Sequence, residues 1–287
     1  MRLRGRNAVI TGGSTGLGYA IAQAFLAEGA NVAICGRNES QLGEAGCRLN
    51  AGAPAGTRAI TFVCDVAHEE QVRGLARRAF DEFGEITVLV NNAGVIGPIG
   101  KMEEVDFDEW RGAMETNLFG VVLACRVLLP HFRSHNYGKI VNLSGGGATS
   151  PRPFFSAYAA SKAAVVRLTE NLAEELCGTG IDVNAVAPGA LNTRMLAQTL
   201  AAGSDRLGET QYNQALRQKE TGGASMERAA ELCIYLASAA SDGITGRLIS
   251  ALWDPWQDLD RHREELRSSD IYTLRRILPE DRAKSWS

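Results

Sequence analysis

What most restricts this chain is a recurring pattern: a short β-branched or apolar run, a glycine or polar break, then a stretch with helical apolar spacing. Arg6–Gly12 is the first such run, and it stops abruptly on glycines. Tyr19–Glu28 follows, with Ile21, Ala24 and Phe25 on one helical face. Asn31–Cys35, Ala59–Cys64, Ile86–Val90, Lys139–Leu143, Asp182–Val186 and Arg247–Leu252 read as six further strands. Helical stretches occupy 39–50, 69–83, 106–119, 120–134, 158–177 and 227–238. Strands apolar on both faces and separated by helices belong in a parallel sheet covered on each side. The pattern therefore predicts a doubly wound α/β fold with a seven-stranded, mainly parallel sheet.

Ligands of such sheets bind beyond the carboxyl ends of the strands, where Gly12, Arg37, Asp65, Asn91, Ser144 and Pro188 fall. The turn Thr11–Gly18, with Gly12, Gly16 and Gly18, joins the first strand to the first helix. Its glycines let backbone amides approach a pyrophosphate, and the helix start favours negative charge. The spacing differs from the G-x-G-x-x-G fingerprint. At the end of the second strand, Cys35–Asn38 contains no acid to hold ribose hydroxyls, while Arg37 suits a phosphate. NADP is preferred over NAD on that ground. Farther on, Tyr158 and Lys162 stand four apart in an alanine-rich stretch, hence on one helical face. A free phenol has a pKa of about 10, and a neighbouring cation lowers it.

Taken together, Thr11-Gly12-x-x-x-Gly16-x-Gly18, Asn91-Asn92-Ala93-Gly94, Asn117, Tyr158-x-x-x-Lys162 and Pro188-Gly189 resemble the short-chain dehydrogenase/reductase family of the single-domain Tyr-x-x-x-Lys type. The order and spacing of the motifs match over roughly residues 5–254. The resemblance implies a Rossmann-like domain over 1–254, with a substrate-covering segment at about 194–226. It implies that Tyr158 exchanges a proton with the substrate oxygen, that Lys162 lowers its pKa and binds the nicotinamide ribose, and that Asn117 holds a relay water. The implied cofactor contacts are Gly12, Ser14, Thr15, Gly16, Leu17, Gly18, Arg37, Asn38, Asp65, Val66, Asn91, Ala93, Gly94, Tyr158, Lys162, Pro188, Gly189, Leu191 and Thr193. One position departs from the family. Its serine precedes the tyrosine by thirteen residues, where this chain has Gly145; Ser144 lies one residue earlier. Either Ser144 fills the catalytic role through a longer loop, or it is a structural serine and the donor is missing.

Composition narrows the partners. Apolar residues make up 45% of the chain, and a net charge of −3 gives no sign of a nucleic-acid partner. The six cysteines are scattered without a C-x-x-C pair, so they read as reduced packing residues and no metal is expected. No signal peptide or membrane-length apolar run is evident, and the cytoplasm is the expected compartment. The covering segment is polar, which favours a small polar or sugar/polyol-like substrate. Residues 255–287 are a charged C-terminal extension whose Trp256, Ile271, Tyr272, Leu274 and Leu278, with Trp253 just upstream, are expected to dock on the core or on a neighbouring subunit.

The expected enzyme is an NAD(P)-dependent oxidoreductase interconverting an alcohol and a carbonyl, as a homodimer or homotetramer. Two alternatives stand beside it: an epimerase or other net non-redox enzyme working through transient oxidation, and a nucleotide-binding module with weak catalysis because of Gly145.

Overall fold

In the computed structural model, which describes residues 1–286, the strands are β1 (Asn7–Ile10), β2 (Asn31–Gly36), β3 (Ala59–Val63), β4 (Val88–Asn91), β5 (Gly138–Leu143), β6 (Ile181–Ala187) and β7 (Leu248–Ser250). All neighbours pair parallel in the order β3-β2-β1-β4-β5-β6-β7. The chain thus winds outward from β1 to β3, returns to the middle, and winds outward again from β4 to β7. The reversal between β1 and β4 opens a crevice at their carboxyl ends.

The helices are α1 (Gly16–Ala27), α2 (Glu39–Ala51), α3 (Glu69–Phe83), α4 (Phe107–Met114), α5 (Gly120–His135), α6 (Ser156–Glu175), α7 (Arg194–Ala201), α8 (Gly203–Thr221), α9 (Met226–Ala237) and α10 (Arg263–Ser268). Alternate strand residues feed two separate cores, as the two-residue strand period requires. Ile10, Val32, Ile34, Val90 and Ile249 pack under α1, α2 and α9. Val9, Ala33, Leu89, Ile140 and Val183 pack under α3, α5 and α6.

Two stretches read as separate helices are continuous. A π-helical turn, Glu115–Phe119, joins α4 to α5, and by length and composition the joined run Phe107–His135 could cross a membrane. The sequence reading saw no such run because polar residues punctuate it. Its inner face, Val121, Ala124, Cys125, Leu128 and Phe132, is instead core against the sheet.

Past β7 the chain folds back on itself. Trp256, Leu259 and Leu266 are buried in the α1/α9 core, with the Trp256 ring 5.9 Å from that of Tyr235. Leu248 on β7 donates its N–H to the Tyr272 carbonyl at 2.8 Å. Arg247 donates to the carbonyls of Ser269 at 3.0 Å and Ile271 at 2.8 Å, and also to that of Leu266. Leu274 packs with Val166 and Ala185. Trp253, Ile271 and Leu278 remain exposed. The outer strand edge is thereby partly covered, which blunts its capacity to pair with another chain.

Candidate active site

Tyr158 and Lys162 lie on the buried face of α6. A line of buried amides and hydroxyls fixes that helix to the sheet. Asn91 Nδ2 donates to Asn142 Oδ1 at 2.8 Å, Asn142 Nδ2 to Thr169 Oγ1 at 2.8 Å, and Thr169 Oγ1 to the Val165 carbonyl at 2.8 Å. Nearer the crevice, Asn117 in the π-turn accepts from Val95 N at 2.8 Å. Its Nδ2 donates to Val95 O at 2.9 Å and Ser161 Oγ at 3.0 Å. Ser161 Oγ in turn donates to the Tyr158 carbonyl at 2.8 Å. Buried networks of this kind hold one geometry even though Asn91 Oδ1 is left without a partner, and π-turns recur at functional sites. Asn117 therefore ties the segment after β4 to the helix that carries Tyr158. Asn91, by contrast, is spent inside the sheet.

The charges are arranged differently from the sequence expectation. Lys162 Nζ donates to the Leu143 carbonyl at 2.7 Å and lies 5.8 Å from the Tyr158 ring centroid. Burial pulls its pKa down to about 8. Burial also raises the Tyr158 pKa, and the cation that opposes this rise is Arg152 rather than Lys162. In this arrangement the ammonium is turned to a backbone carbonyl and its own charge is disfavoured by burial. Gly94 keeps the floor clear, since a Cβ there would stand 3.2 Å from Asn117 Oδ1 and 3.6 Å from Lys162 Nζ.

Ser144 makes no hydrogen bond to Tyr158 among the described residues. Its buried hydroxyl donates to the Lys162 carbonyl at 3.4 Å, the arrangement of a structural serine. Gly145 is the residue that faces Tyr158, and a Cβ at that position would collide with the phenolic hydroxyl.

The nucleotide end is made of backbone. Gly12 and Gly16 have φ of 65° and 56°, the left-handed region that glycine tolerates. A Cβ on Gly12 would stand 2.8 Å from Ala93 Cα, and one on Gly18 would run into the Gly12 carbonyl. Asn92 Nδ2 laces the turn to β4 through the Thr11 and Gly12 carbonyls, both at 3.0 Å, while Thr11 Oγ1 accepts from the N–H groups of Asn92 and Ala93 at 3.0 Å. Thr15, at the start of α1, makes no side-chain cap, so the first-turn amides of Gly16, Leu17 and Gly18 have no capping side chain. Across the crevice, Thr193 Cγ2 would stand 3.8 Å from a Cβ on Gly16, and Leu191 and Thr193 lie on the same loop as Pro188 and Gly189. This cradle, which a side chain would fill, fits a dinucleotide pyrophosphate.

At the adenosine end Ser14 lies against Gly36, and Arg37 forms an exposed ion pair with Asp65 at 3.7 Å. Asn38 caps α2 by accepting from Gln41 N at 2.9 Å. The Val66 side chain is buried against Gly120, leaving only its backbone for a ligand.

The substrate end is apolar. Ile96, Ile99, Phe155 and Leu207 pack around Tyr158, with Phe154, Met195 and Tyr212 at the margin. Of the polar residues on the covering segment, Gln198, Asp205, Arg206, Glu209, Asn213, Gln214, Arg217 and Lys219 face solvent. The amphipathic inner face of α8 was hidden in a sequence whose polar residues dominate by number. Arg152 was also missed. It is the only cation between Lys139 and Lys162, six positions before the tyrosine, a signal present in the sequence. Phe154 has φ of 70°, a strained value for an aromatic residue at the rim of the site.

Comparison with known proteins agrees with this geometry. The family model described as short chain dehydrogenase matches residues 6–203. A 3beta-hydroxysteroid dehydrogenase 1 of Eggerthella lenta is 41% identical over 202 residues, 69% of this chain and 76% of that one. A cis-4-hydroxycyclohexanecarboxylate dehydrogenase of Sinomonas cyclohexanicum is 35% identical over 245 residues, 85% of this chain and 94% of that one. The crystal structure of an NAD+-bound xylitol dehydrogenase superposes with a TM-score of 0.79 at 25% identity, covering 87% of this chain and 98% of the other.

Proposed function

The chain belongs to the short-chain dehydrogenase family, and on that premise we propose that it interconverts a secondary alcohol and a carbonyl with a nicotinamide dinucleotide, Tyr158 handling the proton. The observation that carries this reading is the placement of Tyr158 and Lys162 on one buried face of α6, at the crevice whose other end is the glycine cradle. The dinucleotide, when bound, supplies the hydride acceptor or donor. In the oxidising direction Tyr158 Oη, as phenolate, would take the hydroxyl proton, while hydride would pass from the hydroxyl-bearing carbon to the bound dinucleotide, leaving a carbonyl. In the reducing direction Tyr158 returns that proton. Asn117 and Ser161 hold the backbone of α6 so that the phenol stays at the reacting atom. Lys162, with its pKa near 8, is a group that can pass a proton at neutral to mildly alkaline pH.

The apolar lining supports a small alcohol with a ring or chain body more than a bare polyol. For the dinucleotide, Arg37 supports NADP: its pairing with Asp65 is long and solvent-exposed, hence weak, and a 2′-phosphate can replace it. Exposed Phe107 and Phe119 on the α4–α5 run support self-association through that face, which a monomer in sedimentation would exclude. The decisive assay is turnover of an alcohol panel with NAD+ and NADP+, compared with Tyr158→Phe. Turnover that survives the substitution unchanged overturns the reading.

A further inference from the structure

A half-buried arginine stands where the family's hydroxyl donor is missing. Arg152 lies on the loop between β5 and α6, its guanidinium carbon 4.1 Å from the Phe155 ring centroid and 5.3 Å from that of Tyr158. Its Cβ would be 3.3 Å from a Cβ on Gly147, and its Nη1 3.9 Å from one on Gly146. Guanidinium and phenol therefore pack against the same glycine run, Gly145–Gly147. Among the described residues Arg152 has no hydrogen-bond acceptor and no ion-pair partner, although five donors project from it. Its donors are not sealed in the core, so they remain free to meet a ligand that enters the crevice.

We propose that Arg152 donates a hydrogen bond to the substrate oxygen beside Tyr158, supplying the contact that Gly145 cannot make. The absent side chain at 145 leaves room for the phenolic hydroxyl, which a Cβ there would strike, and the guanidinium lies over the same ring from the adjoining loop, 5.3 Å from its centroid. The same cation favours the phenolate in oxidation and polarises the carbonyl in reduction. The other groups facing Tyr158 are Lys162 on its own helix, Leu207 and the Tyr212 phenol on α8, and Ile96 and Ile99 after β4. Arg152 and Lys162 are thus the charged groups in its surroundings.

This assignment rests on the alcohol–carbonyl reading above, and its test separates the two. Full-length wild type, Arg152→Gln, Arg152→Lys and Tyr158→Phe are assayed with neutral cyclohexanol and with cis-4-hydroxycyclohexanecarboxylate. Tyrosinate absorbance is followed against pH in each. Arg152→Gln is expected to lower kcat on both alcohols by about 10²-fold, to move the Tyr158 ionisation to higher pH, and to recover in part with lysine. If only the KM for the carboxylate rises, Arg152 is an anion anchor and the proposal is wrong. If rates and ionisation are unmoved, it is a loop residue and the proposal is equally wrong. If wild type oxidises neither alcohol and Tyr158→Phe changes nothing, the reaction itself fails and takes Arg152's role with it.

Discussion

The two ends of the crevice are built by different means. At the nucleotide end the surface is backbone: Gly12, Gly16 and Gly18 expose amides, and Asn92 ties their carbonyls to β4. At the substrate end the surface is side chain, gathered from the segment after β4, the β5–α6 loop, α6 and α8. Backbone recognition tolerates little change, because an added carbon at Gly12 or Gly18 strikes a main-chain atom that cannot turn away, and Gly16 holds a left-handed φ. A wall of packed side chains can be redrawn by substitution while the fold persists. One family can therefore keep its cofactor end and vary its substrate end.

That contrast can be broken in order of effect. Tyr158→Phe should lower kcat by about 10³-fold while nucleotide affinity, read by titration, stays within a few-fold of wild type. A matching loss of affinity would mean that the two ends are not separable. Gly18→Ala should do the reverse, weakening nucleotide binding by roughly 10–100-fold, because its Cβ meets the Gly12 carbonyl. Unchanged binding would show that the turn can relax. Arg37→Asp should swing the NADP/NAD preference by about tenfold toward NAD, and an unmoved ratio would remove Arg37 from the phosphate contact.

A separate effect is on stability. Between pH 8 and 10 an unfolded Lys162 keeps its proton, whereas the buried folded one, with a pKa of about 8, has released it. Unfolding then takes up a proton, so this residue's contribution should rise with pH by roughly 3 kcal/mol across that window. Above it the buried Tyr158 works the other way, because burial raises its pKa and the unfolded phenol ionises first. Denaturant melts of wild type and Lys162→Met should diverge across the window, and parallel curves would show the ammonium to be better solvated than its surroundings imply.

Legibility in the sequence divides along the same line. Each strand was visible because residues such as Val9 and Ile10 are both apolar, feeding cores on opposite faces of the sheet. The cradle was visible because only glycine fits where Cβ atoms would collide. Tyr158 and Lys162 were visible as an i, i+4 pair on an alanine-rich helix. The direction of the Lys162 ammonium was not, since it depends on the Leu143 carbonyl of a different element. Nor was the lining: Leu207 is one apolar residue in a polar stretch, and its burial follows from how α8 lies over Tyr158. The choice between the two readings of Ser144 was not legible, because the direction of a loop side chain is set by the turn, and local composition does not report it.

The π-turn at Glu115–Phe119 has a further implication for how the chain tolerates length changes. A π-turn holds one residue more than the α-helical turn it interrupts. Excising a single codon there would let the flanking helices fuse into a regular rod with better-aligned hydrogen bonds, while Asn117 would lose its grip on Val95 and Ser161. Such a deletion should cost the reaction, and its melting temperature would report which of two opposed changes wins, the straighter helix or the unpaired Val95 N–H and carbonyl.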